Sequence, residues 1–545
     1  MENLIEKYCG IIPLDFDKIV PTDSNFIFSP DPSFVPLNLY DFFGRGATVN
    51  SFAECYYYVE LGFEPEKITI FDIFIPIILF ILGIFLLYKA YQQNIFIRSF
   101  NKVKAVNLSK IKSYLVASYL IVQNFFLFDY VRTKAVRIPN FIDEYISLAS
   151  NDNFFRTLDF NAGDFIGGSY SIFLTSGPIS AVGGVIGWNF TTNLFVARIA
   201  NFYWLLIIQI LFVLIISKQH RNKTILGIFF SNIILILIPW WQGSLYMIGE
   251  FASVFIFINA IFLINKNRKV SILLFSISIF FGKLLTLLPF IIFYVTYVFL
   301  NKHYSKILTD ISIFVIPIFI WAILINQFYL DGNIYDYVKN VYDLIIGHQS
   351  SGVGTSINDN IFGADELNNW NNYDFMRLLI VPVIFVFICL QNKESINKFF
   401  GKITIPLTLS TLGIFLWFWL LNSTKWMRYS QHFSIIVLTT LIYILCFRLY
   451  KNKIHYFLIL NSISLFMENN KELIYLFAII SFYFVFVKSK KSNNLLISYF
   501  LAFILLLDIS IPYFQKDTFG NLNDVFVECE INLVSDECRF AYENN

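Results

Sequence analysis

The sequence predicts an all-α polytopic membrane protein with about 12–14 transmembrane helices. Three observations predict this fold class: long apolar runs, a scarcity of charge, and an alternation in the charge of the segments between the runs. Hydrophobic residues make up 57% of the 545 residues and charged residues 14%, whereas an ordinary soluble domain carries roughly 25% charged residues. A water-exposed surface needs more polar residues than this chain has, and a lipid environment removes that need.

A transmembrane helix needs about 20 mostly apolar residues. The stretch 270–300 is predicted to be either a helix pair or one long broken helix, and the run at 455–467 is the shortest. The apolar runs are 68–88, 113–130, 198–217, 224–240, 250–265, 270–284, 285–300, 307–327, 376–391, 403–421, 432–447, 455–467, 472–487 and 495–514.

The segments between these runs form two sets. One set is short and basic, as in KQHRNK at 218–223, KNRK at 266–269 and KESINKFFGK at 393–402. The other set is mostly longer, and mixed or acidic. Because lysine and arginine beside a span resist translocation, the basic set is predicted to face the cytoplasm. Every basic segment then falls on the same side, and both termini are predicted to be extracytoplasmic.

This topology divides the chain into regions with different positions relative to the membrane. The core spans 113–450, and its large outer loops are 131–197 and 328–375. The other regions are an outer N-terminal segment at 1–67, a first span with its basic loop at 68–112, additional spans at 451–514 and an outer C-terminal tail at 515–545.

Four of the six cysteines lie in the terminal segments predicted to be outside. They are Cys9, Cys55, Cys529 and Cys538. An even number of cysteines in outer segments fits disulfide bonds in an oxidising compartment. The simplest pairing joins Cys9 to Cys55 and Cys529 to Cys538, and free buried thiols are the alternative.

Several kinds of functional motif are missing from the sequence. It contains no phosphate-binding GxxxxGK[ST] loop and no zinc-binding CxxC or HExxH motif. No basic face interleaved with aromatic residues indicates a nucleic-acid partner. No span carries a run of charges like a voltage sensor or a proton relay. The residues that bear on function are therefore sought in the outer loops.

The first large outer loop carries paired carboxylates, Asp143 and Glu144, at the start of the amphipathic stretch IDEYISLASNDNFF. Apolar residues in this stretch suit a helix lying in the membrane interface. Paired carboxylates at a membrane surface are able to deprotonate a hydroxyl or to bind a divalent cation. The alternative is a solvated acidic helix start. The Gly- and Ser-rich segment at 167–188 that follows is predicted to be re-entrant or juxtamembrane and buried against protein.

Three further polar residues are predicted on the same face, near the ends of spans. Glu250 opens an apolar run, Tyr246 shortly precedes it, and Lys283 lies within FFGKLLTLLPF. An ionisable residue in a span is costly, so a partner or a functional role is expected for Lys283. Snorkelling of the ammonium group to the interface is the alternative. Glu250 and Tyr246 are candidate substrate-binding residues.

Two late outer segments complete the candidate site. NSTKWMRYSQHF places Lys425, Arg428 and His432 among aromatic residues. Such a cationic patch suits a phosphate group, to which arginine offers a bidentate fork, and an interfacial anchor is the alternative. The loop 328–375 is rich in Gly, Ser and Asn, as binding loops are, and its His348 is a further substrate-binding candidate.

The order of these features resembles the GT-C superfamily of membrane glycosyltransferases, which includes protein O-mannosyltransferases and bacterial lipid-linked sugar transferases. The resemblance covers 113–450. FIDEYISLAS at 141–150 matches the acidic motif of the first outer loop. Arg198 stands at the family's usual arginine position in the next span, and the KWMR sequence resembles the late basic residues that contact the donor phosphate.

The resemblance implies an enzyme that moves a sugar, with inversion, from a polyprenyl-phosphate donor to an acceptor on the extracytoplasmic face. Asp143 and Glu144 would act as the base or as metal ligands. Lys283, Lys425 and Arg428 would hold the donor phosphate. The implied location is the bacterial inner membrane, and the implied partners are the lipid bilayer and the lipid-linked sugar. The residues do not identify a cofactor, and a divalent cation is the one the carboxylates would suit.

Three other functions remain open from the residues. A cell-envelope polysaccharide polymerase or ligase would depend on His348 and the arginines of the late outer loops. A transporter would need polar residues near mid-membrane, where the sequence has single amides such as Gln209, Asn232 and Asn259. A non-catalytic assembly protein would use the cysteine-bearing outer termini as its contact surface.

Overall fold

The computed structural model describes the part of the chain that contains most of the predicted core. The described residues are 121–132, 134–135, 147–148, 151, 154–155, 177–191, 194–217, 240–247, 249–328, 335, 339, 376–422, 427–467, 471–487 and 493–514. No strand occurs in these ranges, so the all-α prediction is confirmed for the described residues.

After a helical stretch at 121–132, the described α-helices follow one another with short breaks. They are α1 (Val182–Thr191), α2 (Leu194–Ser217), α3 (Trp240–Leu245), α4 (Glu250–Leu263), α5 (Arg268–Phe280), α6 (Leu287–Asn301), α7 (Ile307–Phe328), α8 (Val381–Gln391), α9 (Lys393–Phe400), α10 (Thr404–Leu416), α11 (Gln431–Phe447), α12 (Lys453–Ser464), α13 (Lys471–Phe482) and α14 (Asn493–Phe514).

Several of these helices are long and apolar enough to cross a membrane. In the described residues four stretches qualify: Phe195–Ile216, Leu284–Asn301, Tyr304–Trp321 and Thr404–Leu421. A fifth qualifies if α8 and α9, which are bent by 76° at their junction, count as one span. Helices α4, α11, α13 and α14 contain shorter apolar stretches. The predicted run at 68–88, and 224–240 apart from its last residue, lie outside the described residues.

The predicted basic loop at 393–402 is largely helical. Its helix α9 buries Ile396 and Phe400, one turn apart, and exposes Lys393, Glu394 and Lys398. This spacing places apolar side chains on one face and charges on the other. The segment therefore forms an amphipathic helix at an angle to α8. The charges alone had predicted a connecting loop at this position.

The stretch 270–300 is a helix pair, one of the two forms the sequence allowed. Helix α5 ends at Phe280, and α6 begins at Leu287 after a 3-10 turn at Leu284–Thr286. Aromatic side chains pack between the two helices, with Phe275 against Phe290 and Phe293 at ring distances of 5.2 and 5.7 Å. The break between the helices contains Lys283.

Helices α4 and α11 form the centre of the bundle, and every residue of both is buried. An apolar helix that is buried on all sides is a core helix. The two helices share a side-chain hydrogen bond, in which Tyr443 OH donates 2.8 Å to Asn259 Oδ1. Asn259 Nδ2 in turn donates to the Phe255 carbonyl oxygen at 2.8 Å. Asn259 thus acts in helix packing.

The basic segments that the structure describes meet at one end of the bundle. This grouping follows the alternation of the sequence, because each of these segments joins helix ends that lie together. The hydrogen bonds between these ends are Lys266 Nζ to Ile216 O (3.0 Å), Asn265 Nδ2 to Phe400 O (2.8 Å), Asn301 Nδ2 to Lys402 O (3.2 Å) and the Lys451 amide to Asn392 Oδ1 (2.7 Å). We call this end the basic face.

A buried ion pair fastens three helices at the basic face. Arg268, the first residue of α5, donates through Nε to both carboxylate oxygens of Asp310 at 2.9 and 3.0 Å, and through a terminal nitrogen as well. Tyr294 of α6 donates its hydroxyl to the same carboxylate at 2.9 Å. The Arg268 guanidinium also lies 5.3 Å from the centre of the Tyr297 ring. Asp310, on α7, is buried and thereby joins α5, α6 and α7.

Cys389 and Cys446 are both buried. Cys9, Cys55, Cys529 and Cys538 lie outside the described residues. The disulfide pairing of the terminal segments therefore stays a prediction.

We expect Asp310→Ala to destabilise the protein by about 3 kcal/mol, because it leaves the Arg268 charge partly buried without its carboxylate. Loss of thermal stability of the purified protein in detergent measures the effect. Glu394→Gln is the matched control, since this carboxylate also pairs with a cation at the basic face, Lys451 at 3.0 Å, but its side chain is 86% exposed. Equal melting of both variants would contradict the structural role of Asp310.

Candidate functional site

The candidate site lies at the end of the bundle opposite the basic face, which we call the outer face. Backbone hydrogen bonds join the segment before α1 to the break between α5 and α6: Gly177 N donates to Gly282 O at 2.6 Å and Ile179 N to Phe281 O at 2.9 Å. The Gly-rich segment predicted at 167–188 is thus buried against protein where it is described, from 177 onward. It holds the two residues that precede Lys283 in place.

The centre of the site is an ion pair between Lys283 and Glu250. Lys283 Nζ lies 3.4 Å from Glu250 Oε1, and the two side chains are 14% and 1% exposed. The sequence predicted a partner or a role for Lys283, and the structure supplies the partner. Lys283 is the more exposed member of the pair, and Glu250 is its buried member.

The start of α4 favours a carboxylate at Glu250. Gly249 precedes the helix with a φ of 99°, a left-handed conformation that glycine adopts without strain. Glu250 is then the first residue of the helix, where its negative charge is stabilised by the helix dipole. The left-handed turn at Gly249 and the helix dipole together favour a charged carboxylate at Glu250, the buried member of the ion pair.

The break that carries Lys283 is held by small polar side chains. Ser253 Oγ hydrogen-bonds to the Ser278 carbonyl oxygen and lies 2.6 Å from Thr286 Oγ1. At Gly282, a Cβ atom would overlap the Ser278 carbonyl oxygen and approach the Ser253 side chain. Glycine at 282 therefore lets the chain turn tightly against α4 and directs the Lys283 side chain toward Glu250.

His432 joins this pair from α11. Its side chain is fully buried and lies within electrostatic range of both Glu250 and Lys283. The Nδ1 atom lies 3.3 Å from the Tyr429 carbonyl oxygen. The preceding residue, Gln431, packs against Gly243 of α3, where a Cβ atom would overlap its carboxamide. The first turn of α11 is thus packed against α3.

Arg198 and Tyr246 form the neighbouring part of the outer face. Arg198 is fully buried in the first turn of α2 and donates to the Ala135 carbonyl oxygen at 2.6 Å. Its guanidinium lies 5.6 Å from the centre of the Tyr246 ring. Tyr246, predicted to bind substrate, is therefore held against Arg198, the residue at the family-like arginine position.

Ser147 belongs to the loop that carries the predicted catalytic carboxylates, and it contacts the chain just before Glu250. Its Oγ donates to the Met247 carbonyl oxygen at 2.5 Å, three residues before Glu250. Asp143 and Glu144 lie outside the described residues.

Aromatic contacts hold the same loop further along. The Phe154 ring lies 6.4 Å from the Trp321 ring of α7, and Trp321 lies 5.0 Å from Phe281. Phe281 is two residues before Lys283. The outer loop, the end of α7 and the break between α5 and α6 are thus one packed unit.

Lys425 and His348 lie outside the described residues. Arg428 is in the 3-10 turn Met427–Ser430, which leads directly into His432, and its side chain is not described. The described residues include no group of three or more His, Cys, Asp or Glu suited to a metal ion.

Sequence reasoning did not anticipate two features. It placed His432 in a cationic patch without linking it to Glu250, because no local pattern reports contacts between distant parts of a chain. It also passed over Asp310, although an ionisable residue in the first turn of an apolar run is a signal in itself.

No protein-family model, no curated protein and no solved structure matches the chain. Its function is therefore argued from its own residues.

Replacing Glu250 alone should cost more stability than replacing both members of the ion pair. We expect Glu250→Gln to destabilise by about 3 kcal/mol because the Lys283 charge stays partly buried, and the double variant with Lys283→Met to recover part of that loss. Thermal melts of the two single variants and the double variant measure the coupling. If the loss of stability in the double variant equals the sum of the losses in the two single variants, Glu250 and Lys283 do not stabilise each other.

Proposed function

We propose that the chain is a polytopic membrane protein with about 12–14 spans, whose basic face lies in the cytoplasm and whose termini are extracytoplasmic. The helices long enough to cross a membrane support this proposal. Large apolar residues of α6 and α7, among them Phe299, Leu308 and Phe319, are exposed on the bundle surface. Apolar surface of this extent is costly in water and is stabilised by contact with lipid.

Within this topology, the proposed function is that of a membrane glycosyltransferase. It takes a sugar from a polyprenyl-phosphate donor and passes it to an acceptor on the extracytoplasmic face. The observation that carries the proposal is the Lys283–Glu250 pair at the outer face, together with the hydrogen bond from Ser147, four residues after Asp143, to Met247. An ammonium group and a carboxylate-bearing loop at one membrane surface match what such a transfer needs.

Lys283 suits the donor phosphate for a structural reason. Glu250 restrains the ammonium group from its buried side, so a positive charge is set in place before the ligand arrives, and preorganised charge is effective in stabilising a leaving group. Lys425 and Arg428 are proposed to add further phosphate contacts, since they lie in the segment that leads into His432.

The proposed reaction is a single displacement. The carboxylate of Asp143 or Glu144 accepts the proton of the acceptor hydroxyl, and the hydroxyl oxygen attacks the anomeric carbon of the sugar. The bond between that carbon and the phosphate oxygen breaks, and its electron pair leaves with the polyprenyl phosphate. Lys283 stabilises the charge on the leaving phosphate. The configuration of the anomeric carbon is inverted.

The described contacts weigh against a transporter, because the ionisable groups of the site lie at helix ends and Asn259 is engaged with Tyr443. Transport sites are usually built near mid-membrane. A polymerase or ligase would depend on the loop 328–375, and an assembly protein would depend on the terminal segments. Neither function draws support from the described residues.

We expect Asp143→Asn combined with Glu144→Gln to abolish sugar transfer, because no carboxylate then accepts the hydroxyl proton. Lys283→Met should lower the turnover number at least tenfold by removing stabilisation of the leaving group. Transfer of radiolabelled sugar from polyprenyl-phosphate donors in isolated membranes measures both. Glu394→Gln, a carboxylate change on the basic face, is the control. Unchanged transfer in the double variant would disprove the catalytic assignment.

Topology is testable separately with single cysteines in a variant that lacks the six native ones. A cysteine at Asn153 should react with a membrane-impermeant maleimide in intact cells, whereas cysteines at Lys269 and Lys398 should react only after the membrane is opened. The reason is that lysine-rich segments stay in the cytoplasm. Labelling of position 153 only from the cytoplasmic side would overturn both the topology and the transferase.

A further inference from the structure

One nitrogen of His432 stands out at the outer face. The side chain is fully buried, yet its Nε2 has no hydrogen-bond partner among the described residues. Buried polar atoms in proteins are nearly always hydrogen-bonded, and an exception at a site of charged groups points to a ligand or a catalytic role. His432 lies in the first turn of α11, where the adjacent Gln431 packs on Gly243 of α3, the helix just before Glu250, and it is within electrostatic range of Glu250 and Lys283.

The contact of the other ring nitrogen decides what Nε2 is able to bind. Nδ1 lies 3.3 Å from the Tyr429 carbonyl oxygen, and a carbonyl oxygen only accepts hydrogen bonds. Nδ1 therefore carries the proton in the neutral ring, and Nε2 presents a lone pair. Nε2 is thus an acceptor that needs an N–H or O–H group.

This polarity excludes the donor phosphate as the partner of Nε2. The oxygens of a phosphodiester only accept hydrogen bonds, so they do not pair with a second acceptor. A hydroxyl group supplies the donor that the lone pair of Nε2 needs.

We propose that His432 Nε2 accepts a hydrogen bond from a hydroxyl of the sugar whose phosphate is held by Lys283, and so selects sugar-bearing lipids over the bare lipid phosphate. This inference rests on the proposed function and goes further, since it names the group that reads the sugar. Lys283 binds the anion common to all polyprenyl phosphates, and His432 supplies the part of recognition that depends on the sugar. Buried acceptors that are left unpaired by the wrong ligand give strong discrimination.

The proposal is tested with the full-length protein in lipid nanodiscs. The probes are decaprenyl phosphate, decaprenyl-phospho-mannose, -glucose and -galactose, and the monodeoxy analogues of whichever sugar lipid binds most tightly. We expect that lipid to bind at least tenfold more tightly than decaprenyl phosphate. We also expect one monodeoxy analogue to lose about tenfold in affinity, the effect of one unpaired buried acceptor.

The protein variants assign that loss to His432. In His432→Phe, which keeps the buried ring but removes both nitrogens, the penalty for that monodeoxy analogue should disappear. It should persist in His432→Gln, whose carboxamide oxygen supplies an acceptor. It should also persist in the control Thr439→Val. This change removes a buried hydroxyl that likewise has no partner among the described residues and lies two turns further along α11.

Each contrary result has a distinct meaning. Persistence of the penalty in a folded His432→Phe variant overturns the role of His432 and leaves the transferase standing. Equal binding of decaprenyl phosphate and every sugar lipid to the wild type does the same, and this comparison needs no variant to fold. If no lipid binds the wild type, this inference and the proposed function both fail.

Discussion

Helix α4 is buried on every side, so each polar group on it must find its partner inside the bundle. Asn259 is bonded to Tyr443, Ser253 lies beside Thr286, and Glu250 forms its ion pair with Lys283. These pairings leave little freedom in how the neighbouring helices are placed, because a shifted neighbour would leave a buried polar group unsatisfied. The helix thus organises both the packing of the core and the candidate site at its first turn.

The two ends of the bundle use charge in different ways. At the basic face, Asp310 receives Arg268 in a bidentate pair together with the Tyr294 hydroxyl, so its hydrogen-bonding capacity is taken up by the protein. At the outer face, Lys283 is paired with Glu250, and His432 Nε2 has no hydrogen-bond partner among the described residues. A saturated network stabilises a fold, whereas a buried acceptor with remaining capacity is suited to a ligand. This difference favours the outer face as the place of the candidate site.

Glu250 and Lys283 were recognisable from the sequence because a charge in or beside an apolar run is costly and demands an explanation. That they partner each other was not recognisable, since it depends on the break at Gly282 and on how α5 packs against α4. The same holds for His432, which enters from α11. Asp310 carried the same signal as Glu250 and was overlooked. Asp143, Glu144, His348 and Lys425 remain predictions from the sequence, and Arg428 is placed only by its backbone.

The sequence by itself determined the helical class, the positions of most helices and the grouping of basic segments at one end. These follow from apolar run length and from charge next to the runs, which are local properties. Only the tertiary structure decided which polar groups meet: Glu250 with Lys283, His432 beside both, and the Ser147 loop on Met247. Such contacts arise when helices from distant parts of the chain pack together, and no local sequence pattern specifies which helices meet.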